Sequence, residues 1–433
     1  MQKPLNKIGW ITGASIVIAN MIGAGVFTSL GLQLEFVQDP NYILLLWVLG
    51  GFMALSGAFS YAELGVHFKR SGGEYQFLSK IYHPILGYLS GWVSITVGFS
   101  APIALAAISI ADYAQIFTEL PLKIIASVII LLVASIHSFT INNSSLFQKL
   151  ITLVKIVAIA LFVLFGLSVA EDAKLYTFHS GDADFSNYSL AVAFVFVCFS
   201  YSGWNAAAYI TGEIKNYKEN LPKALIWGTL IVTGLYVLVN FVFLKNASYE
   251  ELVGQIEVGQ IVANNLWGEK GSQLISAIII LILFSGVSGM IWVGSRVTQV
   301  LGEDYLIWRR YAKRNQTGVP VRAIWLQAII SIAFVYSGSF EQVLIYSSFI
   351  IQLFSLLAVI GLIVLNRNKQ YRNEVDTYKS PLYPIPQLFF IITSLWVLFF
   401  LMLDKPKESI FGVLSLLLAA LTYFINKHLS KEK

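Results

Sequence analysis

Long apolar stretches, each about the length of a bilayer crossing, recur from one end of the chain to the other, with short polar segments between them. A helix needs about 20 apolar residues to cross hydrocarbon. The pattern predicts twelve spanning helices, at residues 8–30, 42–65, 85–111, 122–141, 146–169, 189–211, 224–245, 272–299, 321–337, 341–365, 385–403 and 408–426. The shortest, 321–337, sits against its neighbour. The first follows Lys3 and Lys7, as the apolar core of a signal peptide would. It is long enough to span and no small-residue cleavage site follows, so it reads as a retained helix. The longest polar segment, about 246–271, reads as a loop, and no soluble domain is expected.

Composition sharpens this picture. Of 433 residues, 57% are hydrophobic and 12% charged, and the mean hydropathy is +0.71. A soluble chain carries about 25% charged residues. So few charges cannot coat a soluble surface of this size, and lipid is the natural solvent. The net charge of +5 does not point to nucleic acid, because the basic residues fall in short loops. With the N-terminus placed inside, the inside segments hold 22 of the 29 Lys and Arg, the outside segments hold 6, and Lys155 lies within a span. This asymmetry predicts both termini in the cytoplasm and an even number of helices. Cys198 is the sole cysteine, which excludes an intramolecular disulfide. The five histidines form no ligand-spaced pair, so no metal is expected, and no GxxxxGK loop suggests nucleotide binding. No cofactor is implied.

Two spans are interrupted. The first carries Gly23 and Gly25 at its middle, in Ala19-Asn20-Met21-Ile22-Gly23-Ala24-Gly25. Glycine costs a helix about 1 kcal/mol relative to alanine and lets the backbone leave helical geometry. Unwound backbone at membrane depth persists only where it lines a cavity or is buried in protein. Freed N–H groups there can hold a carboxylate, and freed carbonyls can hold an ammonium. Close packing of helices through small residues explains the same glycines equally well. The sixth span shifts the balance, because Gly203 falls mid-span between Ser200, Ser202 and Asn205. Helices one and six would open two five-helix halves, at 8–169 and 189–365. Interrupted segments at matching positions of two halves point to a transporter site.

Lys155 is the third signal, within the fifth span. An intramembrane charge costs a few kcal/mol and is a functional candidate. An amine held away from water can also exchange a proton. The bland alternative is a lysine snorkelling to the headgroups, about six residues from Lys149. Cys198 reads as a packing residue. Glu63 and Glu213, each closing a span, read as interfacial charges or as partners in a gating ion pair.

Four local patterns resemble the amino acid–polyamine–organocation (APC) superfamily, closest to the L-type amino acid transporter (LAT) family and its bacterial relatives. They are Ile22 to Phe27, Tyr61 to Gly65 with Ser71-Gly72-Gly73-Glu74-Tyr75, Phe199 to Asn205, and Thr211 to Ile214 with Asn220 to Ala224. The resemblance implies an all-α membrane protein of the LeuT type: a 5+5 inverted repeat with discontinuous helices one and six, and two further helices at 385–426. It implies an amino acid site at the two breaks. Ile22, Gly23, Ala24 and Gly25 would receive the substrate carboxylate, and carbonyls near Ala19, Phe199 and Ser202 the α-amino group. Ser200, Gly203 and Asn205 would complete the site, with Phe199 closing over it. Lys155 matches a lysine standing where sodium-coupled relatives hold sodium, which implies sodium independence. Tyr236 matches a tyrosine that steadies the unwound part of helix one. Ser202 occupies a position where carriers of large neutral substrates tend to have glycine.

The resulting expectation is a sodium-independent exchanger of small or polar neutral L-amino acids, working by alternating access in the cell membrane. A proton-coupled symporter using Lys155 is the alternative. A membrane-embedded enzyme, a non-transporting sensor and a channel are remoter rivals, lacking convergent catalytic residues, an output domain and a continuous polar stripe. Animal members of the family join a heavy subunit through a cysteine in the loop after helix three. The segment at about 112–121 has none, so no disulfide-linked partner is expected and a monomer suffices.

Overall fold

The computed structural model describes residues 7–139, 144–168, 187–368, 371 and 378–429. The predicted helix ends at 141 and 169 lie outside these residues. The first span is two helices, α1 (Trp10–Met21) and α2 (Gly25–Leu34). α3 (Pro40–Phe68) follows, then a short helix α4 (Glu74–Ile81). The third span joins α5 (Pro84–Val93) to α6 (Ser100–Ala114) through a π-helical turn, Ser94–Gly98. α7 (Leu122–Phe139) and α8 (Ser144–Ser168) come next. The sixth span is α9 (Asn187–Tyr201), a turn over 202–205 and a 3-10 helix, Ala206–Glu213. The rest are α10 (Tyr217–Asn246), α11 (Tyr249–Leu252), α12 (Val258–Asp304), α13 (Val321–Ser337), α14 (Phe340–Asn366), α15 (Ile385–Asp404) and α16 (Pro406–Leu429).

Among the described residues, 10 helical stretches are long and apolar enough to cross a membrane, and Thr152–Ser168 and Val321–Ser337 are shorter apolar helices. Both predicted interruptions are present. The segment read as a loop at 246–271 is instead largely helical, since it holds α11 and the first turns of α12. Gly254, Glu257, Gly268, Glu269 and Lys270 dilute its apolar pattern, which hid the helices from the sequence. Gly268 interrupts α12 with φ 67° and ψ −166°, a conformation open to glycine.

The core forms where α10 crosses α1 and α3, α12 packs on α6, and α2 packs on α9. α15 flanks α3 and α14, and α16 flanks α5 and α14. Small residues let these backbones approach. A Cβ on Gly13 would stand 2.8 Å from Ala224, and one on Gly50 2.4 Å from Val197. Large apolar side chains cover the outside instead, such as Leu131 and Leu132 on α7, Leu161 and Leu164 on α8, and Leu417 and Leu421 on α16. An exposed apolar surface of this kind suits lipid.

The two span-closing carboxylates are ion-paired. Glu63 is buried at the end of α3, 3.4 Å from Lys379, and accepts the Ser380 N–H at 2.8 Å. Glu213 lies 3.7 Å from Arg296 of α12. Ile8 pairs with the chain just beyond the sixth span, donating to the Glu213 carbonyl at 2.9 Å and accepting from Lys215 at 2.8 Å.

Sterics at one glycine give a direct test. A Cβ on Gly31 of α2 would meet the Gln255 carbonyl at 2.1 Å and that of Leu252 at 2.7 Å, both rigid backbone. Gly31→Ala should lower stability by about 1–3 kcal/mol. Exposed Gly234 of α10 has nothing within 4 Å, so Gly234→Ala should be neutral or slightly stabilising. Thermal unfolding of the two variants in the same detergent checks the ranking.

Candidate functional site

The first break is short. α1 stops at Met21, α2 starts at Gly25, and the Gly23 N–H turns back to the Met21 carbonyl at 2.8 Å. Among the described residues, the N–H groups of Ala24, Gly25 and Val26 have no acceptor, so the first turn of α2 presents three free donors. The two glycines act differently. A Cβ on Gly25 would fall 2.5 Å from the Ser200 Cα, so Gly25 is where the backbones of spans one and six touch. A Cβ on Gly23 would make only ordinary contacts, 3.7 Å from Met290. Close packing thus accounts for Gly25 and not for Gly23.

The second break needs its glycine for both reasons. Gly203 has φ 98°, which side-chain-bearing residues rarely adopt, and a Cβ there would stand 2.8 Å from the Asn20 carbonyl. α9 closes with Ser202 N–H donating to the Phe199 carbonyl at 2.9 Å, and the chain resumes as a 3-10 helix with Ala206 N–H on the Gly203 carbonyl at 3.0 Å. The two breaks therefore lie against each other.

Two side chains serve the carbonyls the breaks set free. Lys155 of α8 is 1% exposed, and its Nζ donates to the Ile22 carbonyl at 2.8 Å and the Ala19 carbonyl at 3.4 Å. The ammonium is turned into the core and does not snorkel along its helix. Tyr236 of α10 places its hydroxyl 2.6 Å from the Met21 carbonyl and 3.0 Å from the Ser200 carbonyl, touching both breaks at once. Its ring packs edge-on to Trp47, with centroids 5.5 Å apart.

A cavity of ≈ 70 Å³ lies at the crossing. Asn20, Met21, Gly23, Ala24 and Gly25 line it from the first break, and Phe199, Ser200, Ser202, Gly203 and Asn205 from the second. The volume holds a few waters or a small solute and is well below the roughly 300 Å³ at which drug-sized pockets begin. Eight of the ten binding residues read from the sequence thus meet around one space. Ala19 and Ile22 stand behind it, their carbonyls taken by Lys155. Ser200 lines the cavity, but its hydroxyl is engaged with Ser29 at 2.9 Å and with the Phe196 carbonyl at 2.8 Å.

The sequence did not mark the opposite wall. Ser90, Val93, Ser94, Gly98, Phe99 and Pro102 of the third span, with Met290, Ile351 and Phe354, complete the lining. Gly98 and Pro102 within an apolar span were the available signal. Ser94 and Gly98 are the ends of the π-helical turn, a distortion often found at functional sites. Glu74 and Tyr209 close one end of the cavity. Glu74 is 3% exposed and accepts from Tyr61 at 2.6 Å, from the Asn205 amide at 3.0 Å and from the Tyr209 hydroxyl. Burial pushes its carboxyl above the ordinary glutamate range, against the opposing pull of these hydrogen bonds. Glu74 was visible only as part of a motif.

Comparison with known proteins gives these features a context. A family model described as amino acid permease matches residues 8–425. The chain is 29% identical to the serine/threonine exchanger SteT of Bacillus subtilis, covering 90% of this chain and 90% of that protein. It is 27% identical to the human b(0,+)-type amino acid transporter 1, covering 98% of this chain and 88% of the relative. It is 26% identical to the human large neutral amino acids transporter small subunit 2, covering 97% and 80%. These relatives are named as transporters and exchangers, not enzymes. With a match that runs through both breaks, Lys155 and Tyr236, the chain belongs to the amino acid permease family, within the APC superfamily of membrane transporters.

Proposed function

We propose that this permease exchanges small or polar neutral L-amino acids across the cell membrane without sodium, by alternating access. The observation that carries this reading is the donor set at the crossing. The free N–H groups of Ala24, Gly25 and Val26 sit at the positive end of α2, where a carboxylate is stabilised. The carbonyls of the turn after Phe199 would take the α-amino group, and Phe199 would close over the pair. Lys155 supplies a fixed cation at the Ile22 and Ala19 carbonyls, which supports sodium independence. The small cavity and the Ser202 hydroxyl beside it favour small or polar side chains. The Bacillus relative, a serine/threonine exchanger by name, supports both parts of the reading.

On this reading the chain crosses the membrane twelve times, with 8–169 and 189–365 as inverted repeats and 385–426 as two added helices. Both termini lie in the cytoplasm, as the distribution of Lys and Arg favours. The protein works without a disulfide-linked partner, because its sole cysteine, Cys198, is half-buried on α9 and contacts Met53.

Reconstituted into proteoliposomes, the protein should take up labelled alanine or serine only when amino acid is present inside, with equal rates in sodium and in choline. Robust uptake into empty vesicles driven by a pH gradient would overturn exchange and promote proton symport through Lys155. Hydrogen bonds from a charged donor contribute about 1.5–3 kcal/mol. Lys155→Ala should therefore slow exchange by about tenfold or more while the protein still reaches the membrane. Normal exchange by that variant would leave Lys155 a purely structural charge. Ser202→Gly should extend the substrate range toward leucine and phenylalanine, measured by competition against labelled serine.

A further inference from the structure

The motif Ser71-Gly72-Gly73-Glu74 leads from α3 into the first residue of α4. Every one of its residues touches the second half of the sixth span. Ser71 Oγ accepts the Gly212 N–H at 3.1 Å, and the Gly72 N–H donates to the Tyr209 carbonyl at 2.9 Å. Gly73, with φ 55°, lies so close to the Tyr209 ring that a Cβ would stand 2.5 Å from it. Glu74 then reaches past the ring to the Tyr209 hydroxyl and to Asn205 at 3.0 Å. The segment forms a clasp around residues 205–212.

The clasp is itself anchored. Arg70 lies 2.9 Å from Asp304 at the end of α12, and the Tyr75 hydroxyl reaches the other oxygen of the same carboxylate at 2.5 Å. Glu74 also accepts from Tyr61 of α3 at 2.6 Å and from Ser355 of α14 at 3.5 Å. One carboxylate thus ties span six to α3 and α14, and it does so through Asn205, which lines the cavity. A buried carboxylate is costly to leave short of donors, so span six leaves this set only at a cost.

We propose that Glu74 is a positioning residue for transport: it holds Asn205 and Tyr209 against the clasp, so that the cavity opens on the clasp side only when these bonds release. This rests on the exchanger reading, in which the clasp side is the cytoplasm. The groups facing Glu74 are Tyr61 from α3, Tyr209 and Asn205 from span six, and Ser355 from α14. Protonation removes an acceptor from this set just as Glu74→Gln does, and burial places that protonation at a higher pH than for an exposed glutamate.

Ser90 provides the reporter. It lines the cavity, and its buried hydroxyl has no partner among the described residues, so a thiol replaces it without losing a bond. In a Cys198→Ala, Ser90→Cys background, a membrane-impermeant maleimide applied from the clasp side of inside-out vesicles should label Glu74→Gln about fivefold faster or more. Glu74→Asp should fall between. The maximal exchange rate of Glu74→Gln should drop with little change in KM. Lowering the pH should speed labelling of the parent, normalised to an exposed control thiol, and leave Glu74→Gln flat. Equal labelling in all variants would overturn the proposal. If Glu74→Gln does not accumulate, Tyr209→Phe decides it, since it removes one bond to the same carboxylate, and unchanged labelling there is equally fatal. If the unsubstituted protein, with Ser90 and Cys198 intact, exchanges no alanine or serine while the labelling results are as described, the exchanger reading fails and the clasp stands.

Discussion

The arrangement depends on what happens to the backbone at Met21 to Gly25. Breaking a helix inside a lipid-facing bundle frees carbonyls and N–H groups that water cannot reach. Each buried group left unpaired costs about 1–3 kcal/mol. Here the two sets are treated differently. The carbonyls of Ala19, Met21 and Ile22 are served by Lys155 and Tyr236. The N–H groups of Ala24, Gly25 and Val26 are left open beside the cavity. Three carbonyls of the break are thus satisfied from within the protein, while three donors face no acceptor among the described residues. On the proposed reading, that asymmetry favours an anionic group before any side chain is considered.

The crossing of spans one and six follows from the same constraint. Tyr236 can reach Met21 and Ser200 with one hydroxyl only if the two breaks lie within a few ångströms of each other. Gly25 against Ser200 and Gly203 against Asn20 permit that approach, because a Cβ at either would collide with backbone. α10 therefore acts as a common brace for both halves of the site. Lys155, arriving from α8 on the far side of the first break, fixes its geometry without occupying the cavity. A change in the cation's position would be felt at the free donors through the peptide units they share.

Much of this was legible in the sequence, for identifiable reasons. The spans, the two breaks and the buried lysine are local signals: apolar length, glycine at mid-span, a charge in an apolar run. Their meeting place was inferred from the pairing of breaks and from family resemblance, and eight of the ten residues named on that basis line one cavity. The opposite wall was not legible. Met290, Ile351 and Phe354 are ordinary apolar residues until the packing of α12 and α14 brings them to the cavity. The helical part of 246–271 was hidden by glycines and charges. Close packing had been a fair rival for both glycines of the first break, and only contact geometry could divide Gly25 from Gly23.

The two buried charges at the site sit in contrasting settings. Lys155 faces backbone carbonyls, acceptors that belong to the unwound segment and move with it. Glu74 faces side-chain donors drawn from α3, α14 and span six, elements that would separate on the proposed opening of the cavity beside it. A cation bound to one flexible segment stabilises that segment's shape in any state of the transporter. An anion shared among several elements stabilises only the state in which those elements are together. Exchange requires a site of constant character and a gate of variable stability. The lysine suits the first requirement and the glutamate the second, so a change of protonation at Glu74 would alter access to the site more than affinity for its occupant.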